Sequence, residues 1–286
     1  MNKLLVCTDG SVYAESICDH AAWAAKRLQG DVRVLHMLEP VPVAAYQADF
    51  SGIIGVDAQQ KLSDELVALE RAKSRVAQSR ADAILQAAQA RLEAAGIAGV
   101  QIQTEARHGR LADAVSEFAA THELIVIGKR GEHANFDKGH LGSNLERVIR
   151  TSKHPVLVAA RAFQPIERAV IAFDGGPSAR KAAEYAATSP LFEGLSIRLL
   201  CVGTQSNAAK LELEAAELSL KKAGRNVVVD QPPGDPEKVI PEVVAREKAQ
   251  LLVMGAYGQS RLREFFVGST TTALVRTCQI PVLLFR

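Results

Sequence analysis

Two stretches of the chain bring bare backbone and small polar residues together at a spacing suited to holding an anion. One runs Gly255-Ala256-Tyr257-Gly258, nine residues, then Gly268-Ser269-Thr270. The other runs Gly128-Lys129-Arg130-Gly131, ten residues, then Gly142-Ser143-Asn144. Each follows a short apolar run, Leu251–Met254 or Leu124–Ile127, and precedes a helix-like segment. Glycine permits positive φ and lets a ligand reach the main chain. The first amides of a helix have no partner within it, and with the helix dipole they attract phosphate, each exposed contact contributing roughly 0.3–1 kcal/mol. Ser143 and Ser269 are placed to cap those helices or to donate to a phosphate oxygen. Glycine spacing alone also fits a plain strand–loop–helix connection with a serine cap. Its repetition favours a phosphate site in at least one copy. Asp9-Gly10-Ser11 and Asp174-Gly175-Gly176 close two other apolar runs. Asp before Gly is a good turn former, and its recurrence points to a place in the site.

Other chemistries lack their residues. No GxxxxGK[ST] run is present, since Gly128-Lys129 continues into Arg130. No GxSxG nucleophile elbow and no carboxylate pair placed for acid–base work occurs. The seven histidines show no metal-ligand spacing, although His133 and His140 share the first glycine loop; His36 reads as a core or pocket residue within a strand. A phosphate site with no evident base implies binding with slow or no turnover.

The elements that must hold these loops alternate in kind. Apolar runs at Lys3–Thr8, Val32–Met37, Val100–Ala106, Leu124–Ile127 and Pro155–Ala159 read as strands, with helical spacing between them. The pattern restarts at Ala169–Phe173 and runs to Val282–Phe285. Strand alternating with helix implies a parallel sheet covered on both faces. Asp9 matches Asp174, and Lys153-His154-Pro155-Val156-Leu157-Val158 matches Gln279-Ile280-Pro281-Val282-Leu283-Leu284, so the chain is an internal duplication. The expected units are 1–160 and 166–286, joined at Arg161–Glu167, which contains Pro165.

The first copy is longer by 38 residues between Asp9 and its glycine loop, an insertion over about 39–95. Glu39–Asp57 holds Pro40, Pro42, Gly52 and Gly55 and reads as a long connection; Ala58–Ala95 has neither Gly nor Pro. One helix there would reach roughly 55 Å, longer than a small domain is wide. Its apolar positions Leu62, Leu66, Leu69, Val76, Ile84, Leu85 and Leu92 predict a projecting or broken helix that packs on the other half or on a partner chain.

Composition bounds the partners. At 286 residues, 48% hydrophobic and formally +2, the chain can fill two cores and carries no strong nucleic-acid signal. No 18-residue apolar span and no signal segment is present, so no membrane association is expected. Cys7, Cys18, Cys201 and Cys278 form no CxxC pair, which fits reduced, buried thiols in a cytoplasmic protein, with Cys18 the one that could be partly exposed.

At this point the residues resemble a known family. Val6-Cys7-Thr8-Asp9-Gly10-Ser11, Val34-Leu35-His36-Met37 and both glycine loops with their trailing Pro-Val-Leu strands are similar to universal stress proteins, as a tandem pair of such domains. The resemblance implies an α/β fold of two tandem open five-strand parallel sheets, each in order 3-2-1-4-5 with helices on both faces, and pairing of the halves through their last strands. Some members bind ATP, and their mark is two glycines separated by two residues, nine residues, then Gly-Ser or Gly-Thr. The second half fits through Gly255, Gly258, Gly268 and Ser269, with Thr270 following; the first departs by one inserted residue at Gly128, Gly131, Gly142, Ser143 and Asn144. Carried over by position, Asp174 and Asp9 lie beside adenine and ribose, Val202 and Met37 line the adenine pocket, and Met254 and Ile127 lie beneath the ligand. The implied ligand is ATP or another adenine nucleotide with Mg2+, acting as a signal to an unknown protein partner. Two other readings stay open: a nucleotide-free interaction module working through the helix over 58–95, and a slow ATPase. Whether two chains associate beyond the internal pseudo-dimer is not decided by the sequence.

Overall fold

A computed structural model describes residues 3–38, 56–129, 142–204, 206–256 and 268–286. Ten strands form one sheet: β1 (Lys3–Cys7), β2 (Asp31–Leu38), β3 (Ile102–His108), β4 (Leu124–Gly128), β5 (Val156–Ala159), β6 (Arg168–Ala172), β7 (Ser196–Leu200), β8 (Asn226–Asp230), β9 (Leu251–Gly255) and β10 (Val282–Phe285). Their spatial order is β3-β2-β1-β4-β5-β10-β9-β6-β7-β8. Each half is therefore a parallel sheet in the expected 3-2-1-4-5 order. The two join as the resemblance implies, by antiparallel pairing of β5 and β10 that sets Val158 opposite Val282 and Val156 opposite Leu284.

The central strands are short and apolar because helices cover both faces. α1 (Ala14–Leu28), α2 (Val56–Ala94), α5 (Pro177–Thr188) and α6 (Asn207–Lys222) serve one face; α3 (Leu111–Phe118), α4 (Ser143–Thr151), α7 (Pro236–Arg246) and α8 (Ser269–Thr277) serve the other. Both apolar cores run across the seam between the halves. All four cysteines are free and buried, Cys18 included at 2% exposure, so the partial exposure foreseen for it is not found.

Paired contacts repeat across the seam. Ser16 Oγ donates to Ala160 O (2.8 Å), and the matching residue of α5, Lys181, donates from Nζ to Arg286 O (2.9 Å). Lys129 Nζ reaches Cys278 O just beyond α8, while Arg286 reaches Arg150 O in the last turn of α4. Each of the last two places a cation at a helix C-terminus, where unpaired carbonyls accept it.

α2 is one unbroken helix of 39 residues, about 58 Å long. Ala81, Leu85, Ala88 and Leu92 are buried, and Arg91 pairs with Asp19 (2.7 Å) and Glu15 (2.9 Å) of α1. The packed end thus lies on its own half, beside α1, β2 and β3, and not on the other half as the apolar stripe suggested. A right-handed crossover from β2 to β3 must return over its own sheet, and only the residues level with that sheet find a surface. The projecting reading holds for the other end, where Leu69 and Val76 are 50% and 70% exposed. The Glu39–Asp57 connection lies outside the described residues up to position 55.

Candidate functional site

In each half the strand order reverses between the first and fourth strands, and crevices at such points, beyond the carboxyl ends of the strands, receive ligands in open α/β sheets. Both aspartates stand there, with the described ends of the two glycine loops, Gly128 and Gly142 in the first half and Gly255 and Gly268 in the second.

In the second half the chain leaves β6 through Phe173, whose amide still pairs with Leu200 O (2.8 Å). Asp174 Oδ1 then accepts from the Gly176 amide at 2.8 Å, and Gly175 sits at φ +76°. The aspartate thereby makes the turn that starts α5, with Gly176 as N-cap and Pro177 first in the helix. Gly255 ends β9 directly against that helix. A Cβ there would lie 2.9 Å from Ser178 Cβ and 3.3 Å from the Ala179 amide nitrogen.

Close approach, not positive φ, is therefore what requires glycine at this strand end. None of Gly128, Gly255, Gly142 and Gly268 has positive φ, contrary to the expectation for the loop glycines. Positive φ is found instead at Gly10 and Gly175, directly after the two aspartates, and at Gly203 beside Val202.

The loop that follows lies outside the described residues, and Gly258 with it. Its base is closed by the Gly268 amide donating to Ala256 O (3.1 Å). α8 then opens with Gly268 as N-cap and no side-chain cap. Ser269 is the first helical residue and not the cap, because the chain enters through the extended backbone of Gly268; the capping role expected of it is not observed. The same correction applies to Ser143, which follows the N-cap Gly142 in α4. Thr271 Oγ1 donates to Gly255 O (3.0 Å) and Thr270 Oγ1 to Glu237 Oε1 (3.3 Å). These bonds fasten the first turn of α8 to the end of β9 and to the start of α7. The amide of Thr272 bonds Gly268 O at 2.9 Å, whereas those of Ser269, Thr270 and Thr271 precede the first possible intrahelical bond. Met254 is buried beneath, and half-buried Val202 packs on the same core.

The first half repeats the frame with other side chains. Asp9 Oδ1 accepts from the Ser11 amide (3.0 Å), and Gly10 stands at φ +74°. A Cβ on Gly10 would meet Ile84 Cδ1 of α2 at 2.6 Å. Gly128 is approached by Tyr13 Cβ and Ile17 Cδ1, both 3.1 Å from where its Cβ would be. Ile127 is buried and Met37 half-buried on the corresponding core. His36 is buried as expected, its Nδ1–H donating to Thr8 O (2.9 Å). Asn144 is the second residue of α4; Gly131, His133 and His140 lie outside the described residues. Among the described residues a Cβ on Gly142 would touch only Lys129 O, at 3.8 Å. Neither φ nor crowding by those residues asks for glycine at 142.

Three contributors were not legible as such. Lys129 follows the strand-end glycine and was grouped with the loop, yet it is buried and turned toward the other half; burial pulls its amine down to about 8. Thr271 and Glu237 gave no signal beyond a run of threonines and an ordinary acidic first turn. Burial, reinforced by the charge of Asp174, pushes the Cys201 thiol up to about 11, so it stays protonated at neutral pH. Among the described residues no cluster of His, Cys, Asp or Glu is arranged to hold a metal ion, and no helix is long and apolar enough to cross a membrane. A cavity of about 280 Å³ at the β5–β10 seam, lined in part by Lys153, Lys181, Tyr185 and Phe285, shares no residue with the candidate site.

Comparison with known proteins places this scaffold. The model of the universal stress protein family matches residues 1–160 and 203–286. The chain is 37% identical to a universal stress protein of Synechocystis over 289 aligned positions, covering all of both chains. A universal stress protein of Mycobacterium tuberculosis is 25% identical, over 99% of this chain and 94% of its own. A solved universal stress protein from Archaeoglobus fulgidus superposes with a TM-score of 0.68 at 21% identity, covering 100% of this chain and 98% of that one.

Proposed function

The chain belongs to the universal stress protein family, and on that premise we propose that it binds an adenine nucleotide, ATP in the first instance, as a regulatory ligand in its second half. The observation that carries this reading is the first turn of α8. Its leading amides stand at the reversal of strand order, braced by Thr271 on Gly255 O, with no side chain among the described residues capping them. A phosphate tail would replace that cap. In this reading Gly255, Gly258, Gly268, Ser269 and Thr270 surround the phosphates, and Asp174, Val202 and Met254 surround adenine and ribose. Asp9, Met37, Ile127, Gly128, Gly131, Gly142, Ser143 and Asn144 make the weaker first-half copy. The bareness of Gly142, unforced by the described packing, supports its having faced a ligand.

Mg2+ would accompany the phosphates and be held mainly by them. No described side chain is placed as a base for a water attacking the γ-phosphate, so hydrolysis would be slow at most. The ligand's effect would be to bias one conformation toward a protein partner, which requires that it bind that conformation more tightly. The units 1–160 and 166–286 would act as a fused pair in the cytoplasm, where four buried free thiols stay reduced.

Mass spectrometry of the denatured, freshly purified chain tests this. An adenine nucleotide is expected from the native sequence and not from Gly268→Val. Gly268 has φ −56° and ψ 145°, which valine also adopts, so the variant should fold. Nucleotide retained by Gly268→Val would reject the second-half site as described.

A further inference from the structure

Helix α2 overshoots the sheet it covers. Ile84 lies on Gly10, at the carboxyl end of β1, while Leu85, Ala88 and Leu92 are buried on the sheet below. The residues before Ala81, which is itself fully buried, run past the end of the sheet, an overhang of roughly 38 Å at 1.5 Å per residue. Every residue from Arg71 to Arg80 is exposed. A helix solvated all round gains nothing from packing, and propensity alone leaves such a segment marginal. Its second-half counterpart α6 has no such extension, being capped by Ser206 and burying one face from Ala209 through Leu213 and Ala216 to Leu220.

Two patterns on the overhang specify an occupant. Leu62, Leu66, Leu69 and Val76 are spaced four, three and seven residues apart, which keeps them on one seam. Leu69 and Val76 lie open on it, and Leu62 and Leu66 are half-buried. Charge is segregated along the same stretch. Positions 61–70 carry Lys61, Asp64, Glu65 and Glu70, net −2, and positions 71–80 carry Arg71, Lys73, Arg75 and Arg80, net +4. Two such helices side by side in parallel would set like charge on like. Reversed, they set the acidic stretch of each against the basic stretch of the other.

We propose that the α2 overhang is a self-association site on which a second copy of this chain docks antiparallel, seam to seam. Lys73 and Arg80 interrupt the apolar seam, so the pairing leans on charge and weakens with salt. With 61–80 of each chain overlapping, the two sheets lie at opposite ends of the shared helix pair and do not collide. The inference is independent of nucleotide occupancy.

Sedimentation velocity of the full chain over a range of concentrations tests it, at low and at high salt. The native chain is expected to show a concentration-dependent dimer that dissociates at high salt. Glu65→Lys with Glu70→Lys makes the overhang basic throughout; Arg71→Glu with Lys73→Glu and Arg75→Glu makes it acidic. Each variant alone is expected to associate about tenfold more weakly or worse, and the two mixed are expected to form a heterodimer. Leu69→Ser with Val76→Ser, which leaves charge untouched, is expected to weaken the native dimer about tenfold as well. A native chain that stays monomeric at every concentration would overturn the proposal. So would charge variants that still self-associate like the native chain, or that fail to pair when mixed.

Discussion

Asp9-Gly10 and Asp174-Gly175 make the same turn, each aspartate accepting an amide proton from two residues on and each glycine at positive φ. Around that shared turn the two halves have spent their side chains differently. In the first half Ile84 lies on Gly10, and Tyr13 stands where the second half has Ser178. Lys129 follows the strand-end glycine and holds α8 of the other half, whereas its counterpart Ala256 is buried and accepts the Gly268 amide within its own half. The third residue of α4 is Leu145, in the core; the third of α8 is Thr271, bonded to Gly255 O. The first half has turned its rim toward packing and toward its neighbour. The second has kept small residues and hydroxyls aligned on a helix start. A duplicated scaffold can thus keep its turn geometry while the side chains around that turn diverge.

Alanine at the two strand-end glycines should separate the halves most strongly. Gly255→Ala puts a Cβ 2.9 Å from Ser178 Cβ and 3.3 Å from a helix backbone nitrogen, neither of which can swing aside. Gly128→Ala meets Tyr13 Cβ and the flexible end of Ile17 at 3.1 Å. Urea unfolding should show a loss of about 3 kcal/mol for Gly255→Ala and about 1 kcal/mol for Gly128→Ala. Equal losses would mean that the two helix approaches are equivalent.

The turn glycines should differ less, and in the opposite sense. Both alanine variants pay for left-handed backbone, about 1–2 kcal/mol each. Gly10→Ala must in addition push Ile84 away, so it should be the worse of the two by about 1 kcal/mol and should loosen α2, read as faster amide exchange near Ile84.

Lys129 gives the smallest effect and the one tied to pH. Its amine is neutral in the folded chain above about 8 and charged in the unfolded chain up to the ordinary 10.5. Folding then releases a proton, so this group makes stability rise as pH climbs from about 8 to 10.5, and its contribution is lost as pH falls through the lower value. Buried Cys7, Cys18, Cys201 and Cys278, all pushed up, act in the reverse direction as pH rises past the ordinary thiol value. The difference between the native chain and Lys129→Met isolates the lysine. Unfolding free energies from urea melts at pH 8 and pH 9 should separate by about 1 kcal/mol more in the native chain than in the variant.

Much of the frame was legible in the sequence because it rests on short-range pattern. Val282–Phe285 and Leu251–Met254 are apolar runs between turn residues, and the Pro-Val-Leu repeat showed which strands correspond. The helix over Ala58–Ala95 was legible from the absence of Gly and Pro, but not the surface it would meet. Its seam has the same apolar character where it packs, at Leu85 and Leu92, as where it projects, at Leu69 and Val76. The site was legible where residue type alone decides, as at the two aspartates. It was not legible where three-dimensional proximity decides. Glycine at 255 answers to Ser178, which is 77 residues away in the chain, and Thr271 answers to Gly255 across the loop. The serine caps failed because glycine in extended conformation already fills the N-cap position.

The measurement that bears most directly on the second-half site is equilibrium binding of adenine nucleotide by Gly268→Val and Gly142→Val side by side with the native chain. Neither glycine has positive φ, so both variants keep an allowed backbone. The expected result is one tightly held nucleotide per native chain, affinity unchanged within about twofold in Gly142→Val, and a loss of about a hundredfold or more in Gly268→Val, equivalent to ~2.7 kcal/mol. Undiminished binding in Gly268→Val, or no binding by the native chain, would contradict the account.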